Sequence, residues 1–106
     1  MIMENPYITE NLLAKKYFDI EDFARIVNKD QRTIRSWEIK GIIKKPPKDS
    51  RNWRRYSRDD LAECLETILN HPWKRKVIKN EQEIQYVIDR LHGKVYRYTI
   101  SGINFD

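Results

Sequence analysis

Basic residues are concentrated in the middle of the chain, where they could bind a polyanion. Residues 31–58 contain ten Lys and Arg against two acidic residues, Glu38 and Asp49, so this segment carries a net charge of +8. Residues 1–30 and 59–106 carry −2 and −1. Guanidinium and ammonium groups neutralise phosphates, and a guanidinium can also donate two hydrogen bonds to guanine. The distribution favours a nucleic acid as ligand, with a solvated basic loop as the alternative that charge alone leaves open.

Other chemistries find no support in the sequence. We find no Ser–His–Asp set, no paired carboxylates in an apolar frame and no Gly-rich phosphate loop, and we therefore expect no enzymatic activity. His71, His92 and the single cysteine, Cys64, lie too far apart for metal-ligand spacing, so no metal or other cofactor is expected. The lone cysteine and the lack of a signal peptide or a long apolar run predict a cytoplasmic, nucleoid-associated protein with no membrane partner.

Two short helices joined by a tight turn are predicted to carry part of the basic surface. Asp19 is typical of an N-cap, and the helix that follows has apolar residues at helical spacing and ends at Asn28. Asp30 caps the second helix, residues 31–39, which buries Ile34 and ends at Gly41. This arrangement is the helix-turn-helix pattern.

A β-hairpin, or wing, is predicted to follow the second helix. Residues 42–43 are β-branched and predict a short strand, residues 44–52 predict a loop with two prolines, and residues 53–56 are expected to pair back with 42–43. Ser57 begins a capping box, and the next helix has an apolar face and stops before Pro72. That face consists of Leu61, Cys64, Leu65 and Ile68.

The two ends of the chain predict further elements. Thr9 is expected to cap a helix to about residue 16, and Asn80 a helix to His92 with an apolar stripe and Gly93 at its end. Residues 77–78 favour a short strand, and residues 95–105 a second hairpin. The predicted fold is mainly α with a small β component: a winged helix-turn-helix plus a C-terminal helix and β-hairpin. The predicted units are a helical extension (1–16), a winged helix-turn-helix (17–71) and an accessory unit (72–106).

Taken in order, these pieces resemble the winged helix-turn-helix of the MerR and excisionase superfamily over about residues 17–70. The pieces are Ala24 in the first helix, TIRSWE at 33–38, GII at 41–43, WRRYS at 53–57 and DDL at 59–61. The chain departs from the pattern at Lys29, where an apolar residue is usual, and at the wing tip, which has two prolines and no glycine. We expect neither the long dimerising helix nor the effector domain of full MerR regulators, and therefore no small-molecule effector.

The resemblance and the charge pattern together predict a DNA-binding site. On the second helix, Arg35 and Trp37 are implied by resemblance to contact phosphates, with core packing as the alternative for Trp37. The predicted helix residues are Gln31, Arg32, Thr33, Arg35, Ser36 and Trp37, among which Gln31, Arg32 and Ser36 remain for bases. The predicted wing residues are Lys44, Lys45, Lys48, Arg51, Trp53, Arg54 and Arg55. By resemblance Arg54 is the main wing contact, and Tyr56 is expected to be core.

The predicted function is sequence-specific binding of double-stranded DNA. A phage or mobile-element transcriptional regulator, an excisionase-like architectural factor and the DNA-recognition part of a packaging or partition complex would all use this surface. A homodimer or a cooperative array through residues 72–106 is a further expectation. The alternatives are a protein-interaction module, such as a phage-encoded inhibitor or assembly factor, with Tyr86, Tyr96 and Tyr98 at its interface, and an RNA-binding protein.

Overall fold

A computed structural model describes residues 5–93 as a helical domain with one small sheet. The elements in this part of the chain are α1 (Glu10–Leu13), β1 (Tyr17–Phe18), α2 (Ile20–Ile26), α3 (Gln31–Ile39), β2 (Tyr56–Ser57), α4 (Arg58–Leu69), α5 (Lys74–Val77) and α6 (Glu81–Leu91). The predicted fold class, mainly α with a small β component, is confirmed. The hairpin predicted at 95–105 lies outside the described residues. None of the helices within residues 5–93 is long and apolar enough to cross a bilayer.

Side-chain caps begin four of the helices where the sequence predicts them. Thr9, Asp19, Asp30 and Ser57 each accept a hydrogen bond from the backbone N–H three residues later. In α2 and α4 the third residue of the helix is an aspartate that bonds back to the cap, which completes a capping box. The residue before α6, Asn80, makes no such cap. Its side-chain amide nitrogen donates to the carbonyl of Ile26 at 2.8 Å, and within residues 5–93 its buried Oδ1 has no hydrogen-bond partner.

The two helices of the helix-turn-helix end in the same way. Asn28 (φ 57°) and Gly41 (φ 75°) adopt the left-handed conformation just beyond α2 and α3. After α2, the N–H of Lys29 donates to the carbonyl of Ala24 at 2.9 Å; after α3, the N–H of Ile42 donates to that of Trp37 at 2.9 Å. These six-to-one bonds are the Schellman closure, and they fix the angle at which the chain leaves each helix.

The predicted strand pairing is wrong. Residues 42–43 form no strand, because Ile42 completes the end of α3 and Ile43 is buried beneath it. Strand β2 pairs instead with β1, with Tyr17 opposite Ser57 and Phe18 opposite Tyr56. The strand predicted at 77–78 is also wrong, since Val77 ends the short helix α5. Helix α1 stops at Leu13, earlier than the predicted residue 16.

One core runs from the helix-turn-helix into α6. Helix α6 packs against α4, and it buries the predicted stripe of Ile84, Val87, Ile88 and Leu91. Arg58, at the start of α4, donates to the carbonyls of Leu13, the last residue of α1, and Lys15, just beyond it, both at 2.7 Å. The same guanidinium donates to Arg90 at 2.9 Å and Leu91 at 3.3 Å, at the end of α6. These bonds satisfy carbonyls that a helix end leaves without an internal partner.

Candidate nucleic-acid interface

Helix α3 has one face in the core and one polar face turned outward. Ile34, Trp37 and Glu38 are buried, whereas Arg32 and Arg35 are exposed. The predicted contact residues Gln31, Thr33 and Ser36 are partly exposed. A guanidinium nitrogen of Arg35 donates to the Gln31 amide oxygen at 3.1 Å, one helical turn away. The Thr33 hydroxyl donates to the Asp30 cap at 3.1 Å, which gives it a role in starting the helix.

Trp37 lies in the core rather than on the polar face of α3. Only 5% of the residue is exposed. Its ring stacks on Trp73 with the centroids 5.5 Å apart and also contacts Phe23 at 6.4 Å. The His71 ring also contacts Trp73, with the ring centroids 4.3 Å apart. These contacts anchor the C-terminal half of α3 and leave little of the Trp37 indole for a ligand.

Glu38 joins the wing, residues 44–55, to α3. Its side chain is 2% exposed. Both carboxylate oxygens accept from Arg54 Nε, at 2.9 and 2.8 Å, and one also accepts from the Tyr56 hydroxyl at 3.0 Å. The hydrogen bonding of Arg54 to Glu38 raises the pKa of Arg54. Burial, followed by the charge of Glu38, raises the pKa of Tyr56. We call Glu38, Arg54 and Tyr56 the latch.

Sequence reasoning missed the latch. In the sequence, Glu38 is notable only as part of a motif and as one of two acids in a basic segment. The informative feature is its spacing, since Glu38 lies four residues after the buried Ile34 and therefore on the same face of α3. An acid on a buried face needs a cationic partner, and the wing supplies one.

Arg54, predicted by resemblance as the main DNA contact of the wing, therefore serves first to position the wing. Its side chain is 23% exposed and its Nε is held by Glu38. Within residues 5–93 its terminal guanidinium nitrogens have no protein partner, so they remain for a ligand. A guanidinium whose inner nitrogen is fixed in this way is oriented before the ligand arrives.

Asp49 closes the wing tip without a glycine. One carboxylate oxygen accepts from the backbone N–H groups of Arg51 (2.9 Å) and Trp53 (3.1 Å), and the other accepts from the Arg51 guanidinium at 3.0 Å. These bonds, the one from the Arg51 side chain first, lower the pKa of Asp49. Asn52 takes the left-handed conformation, φ 67°, that glycine often supplies. A bridge between Lys48 and Arg54 completes the wing.

The remaining predicted wing residues lie at the surface. The exposed cations of the wing are Lys44, Lys45, Lys48, Arg51 and Arg55. Lys44 pairs with Glu63 of α4 at 3.2 Å, in an ion pair that is itself exposed. The Arg55 guanidinium lies 3.7 Å from the centre of the Tyr17 ring, so β1 supports the outer face of the wing. Trp53 is 59% exposed.

Two open grooves run along the wing. The inner groove, about 320 Å³, separates the wing from the starts of α2 and α3. Its lining includes Asp19 and Glu21 at α2, Gln31 and Arg35 of α3, and Asn52 and Trp53 of the wing. The outer groove, about 380 Å³, separates the wing from β1 and is lined by Lys15, Tyr17, Arg51 and Arg55. Three residues line both grooves: Asp19, Trp53 and Arg54. Lys15 and Tyr17 were not predicted, because their place beside the wing depends on the β1–β2 pairing.

The comparison with known families agrees with this geometry. Residues 18–69 match the MerR HTH family regulatory protein model, a span that runs from β1 through α4 and includes α3 and the wing. No curated protein and no solved structure matches the chain. Residues 18–69 therefore form a MerR-like helix-turn-helix domain. This match supports, in general terms, a DNA-binding regulator.

Proposed function

We propose that the protein binds double-stranded DNA in a sequence-specific way, with α3 in the major groove and the wing on the backbone and in the minor groove. The observation that carries the proposal is the inner groove, which α3 and the wing line together. The latch fixes these two elements relative to each other through a nearly buried carboxylate. A surface with this fixed geometry can contact the major groove of a duplex through α3 and the adjacent backbone and minor groove through the wing at the same time.

Helix α3 supplies the contacts that would read sequence. The major groove is about 12 Å wide and admits an α-helix. We assign Gln31, Arg32 and Ser36 to base edges, since an amide matches adenine and a guanidinium matches guanine. Arg35 lies in the inner groove beside the wing, which suits a phosphate contact.

The wing supplies contacts that do not depend on sequence. Its five exposed cations can each neutralise a phosphate and release a counterion, and the logarithm of the binding constant then falls by about 0.9 per contact for each tenfold rise in salt. Affinity should therefore depend steeply on salt concentration, as expected for any surface of this charge.

Fluorescence anisotropy with a duplex selected from a random-sequence pool tests the proposal. We expect wild-type binding to weaken steeply with salt and the Arg35→Ala and Lys45→Ala variants to show shallower slopes. Lys79→Ala is the matched control, because it removes one exposed cation outside residues 31–58. A chain that binds no duplex at low salt, or variants that bind as the wild type does, would overturn the proposal.

Two finer roles would use the same surface. We put forward a phage or mobile-element transcriptional regulator and an excisionase-like architectural factor, on the resemblance of the ordered motifs to both groups. Gel-shift titrations on one, two and three tandem copies of the selected site separate them. Cooperative filling with DNA bending would support the architectural role, whereas independent filling without bending would support the regulator.

The core packing of α6 bears on self-association and on a protein-partner function. Self-association and a protein-partner function would both use residues 72–106, and the clearest apolar surface among the described residues there is the stripe of α6. That stripe packs inside the same chain, with Ile84 and Val87 fully buried. A partner at this end of the described chain would have to use the polar faces of α5 and α6. We therefore propose DNA binding first and the protein-partner function second.

A further inference from the structure

The wing tip presents a large apolar side chain to solvent. Trp53 is 59% exposed, although it lies between charged residues. The Arg51 guanidinium lies 4.4 Å from the centre of its ring and covers one side of it. The backbone N–H of Trp53 is held by Asp49, so the tip is ordered before any ligand binds. An exposed aromatic ring on an ordered backbone offers a face on which a nucleic-acid base can stack.

Trp53 forms a ridge between the inner and the outer groove, since it lines both. The outer groove has four cations, Lys15, Arg51, Arg54 and Arg55, against two carboxylates, Asp19 and Asp49. Asp49 is already paired with Arg51, as Lys15 is with Asp22. The inner groove has Arg35 and Arg54 against Asp19 and Glu21, and Glu21 is paired with Arg25. Each side of the ridge therefore offers guanidinium groups.

A minor groove of duplex DNA has the complementary form. It is about 6 Å wide and is bordered by one phosphate strand on each side. An aromatic ridge with guanidinium groups in the groove on either side could enter the minor groove while both strands lie against those groups. Apolar side chains that enter in this way part adjacent base pairs and bend the duplex by about 20–90°.

We propose that Trp53 is an apolar wedge that enters the minor groove and kinks the DNA, with one phosphate strand in the inner groove and the other in the outer groove. Arg51 covers one face of the indole, which leaves the other face and the edge for a base step. This inference deepens the proposed function and rests on it, because it assumes that the wing meets duplex DNA.

The experiment measures affinity and bending separately. The probe is the selected duplex with donor and acceptor dyes at its two ends; anisotropy gives the affinity and energy transfer gives the bend. The variants are Trp53→Ala, Trp53→Phe and Trp53→Lys. Tyr7→Ala is the matched control, because Tyr7 is also exposed (48%) and also stacked by an arginine, Arg25 at 4.2 Å, but lines neither groove.

We expect the bend to follow the ring at position 53. Trp53→Ala should lose the bend and about tenfold in affinity, since stacking of one aromatic side chain on a base is worth about 5- to 150-fold. Trp53→Phe should keep most of the bend. Trp53→Lys exchanges the wedge for a cation, so it should lose the bend more than the affinity. Tyr7→Ala should match the wild type.

Two results would overturn the wedge, and they differ from failure of the proposed function. If the wild type binds the duplex without bending it, or if Trp53→Ala and Trp53→Lys bend it as the wild type does, Trp53 is no wedge although the protein binds DNA. If the wild type binds no duplex at any salt concentration, the proposed function has failed and the wedge with it. Thermal melting of each free variant confirms that it is folded.

Discussion

Arg54 and Glu38, sixteen residues apart in sequence, form a nearly buried ion pair that fixes the wing against α3. Both oxygens of Glu38 accept from the same nitrogen of Arg54, and the Tyr56 hydroxyl adds a third bond. The pair joins the element that would read sequence to the element that would hold phosphates. Its loss should therefore affect both folding and the relative position of α3 and the wing.

The first prediction concerns Glu38→Gln. The change keeps the shape of the side chain and removes the charge that balances Arg54. Loss of one partner of a buried ion pair costs about 3–5 kcal/mol, and because Arg54 keeps 23% exposure, water offsets part of that cost. We expect the free energy of unfolding to fall by about 2–3 kcal/mol, measured by urea denaturation.

Glu63→Gln is the control for this prediction. Glu63 pairs with Lys44, but both side chains of that pair are more than half exposed. Exposed pairs contribute less than about 1 kcal/mol. Equal losses of stability in the two variants would show that the Glu38 pair has no special structural role.

The second prediction separates Arg54 from its neighbour Arg55. Arg54→Ala removes a latch residue and should lower the free energy of unfolding, whereas Arg55→Ala removes an exposed cation that rests on Tyr17 and should leave unfolding nearly unchanged. In DNA titrations, Arg55→Ala should reduce the slope of log affinity against log salt by about 0.9. A reversed pattern, with Arg55→Ala unstable and Arg54→Ala stable, would contradict the assignment of the latch.

The caps and turns of the helix-turn-helix could be predicted because the chemistry that fixes them is local. Asp19, Asp30 and Ser57 each bond a backbone N–H three residues away, so residue type and position are sufficient. Asn28 and Gly41 likewise end their helices through bonds within six residues. The buried stripes of α4 and α6 follow from helical spacing in the same way.

The pairing of the strands and the latch could not be predicted, because they depend on contacts between distant residues. Strands β1 and β2 have two residues each, too few for a periodic pattern. The β-branched residues 42–43 favour a strand by type, but the closure after Gly41 places them at the end of α3 instead. An arginine such as Arg54 can reach many partners, and only the fold selects Glu38.

The third prediction concerns the buried thiol of Cys64. Burial, followed by the nearby charge of Glu63, raises the pKa of this thiol to about 12. Only about one molecule in ten thousand then carries a thiolate at pH 8, and the thiolate is the reactive form. We expect the folded protein to react with a thiol reagent such as DTNB far more slowly than the urea-unfolded chain. Rapid labelling of the folded protein would contradict the burial of this residue.

The raised pKa of Cys64 also makes the free energy of unfolding depend on pH. The unfolded thiol ionises near its ordinary value of 9.0 and the folded one near 12, so above pH 9 the unfolded state releases a proton that the folded state keeps. The contribution of the buried thiol to the free energy of unfolding is fully present below pH 9 and is lost as the pH rises toward 12. Urea midpoints should fall over this range, and Cys64→Ala should show a smaller fall. A wild-type midpoint that is constant from pH 9 to 12 would contradict the raised pKa.

The last prediction separates Arg58 from the basic surface in which the sequence places it. Arg58 donates to carbonyls at the ends of α1 and α6, and its guanidinium is therefore a structural link. Hydrogen bonds from a charged donor contribute about 1.5–3 kcal/mol, so Arg58→Ala should lower the free energy of unfolding by at least about 2 kcal/mol. Arg58→Lys should restore little of it, because one ammonium cannot span both helix ends. In DNA titrations at a temperature where the variant is folded, the salt slope should match that of the wild type. A normal stability with a reduced salt slope would instead place Arg58 in the DNA-binding surface.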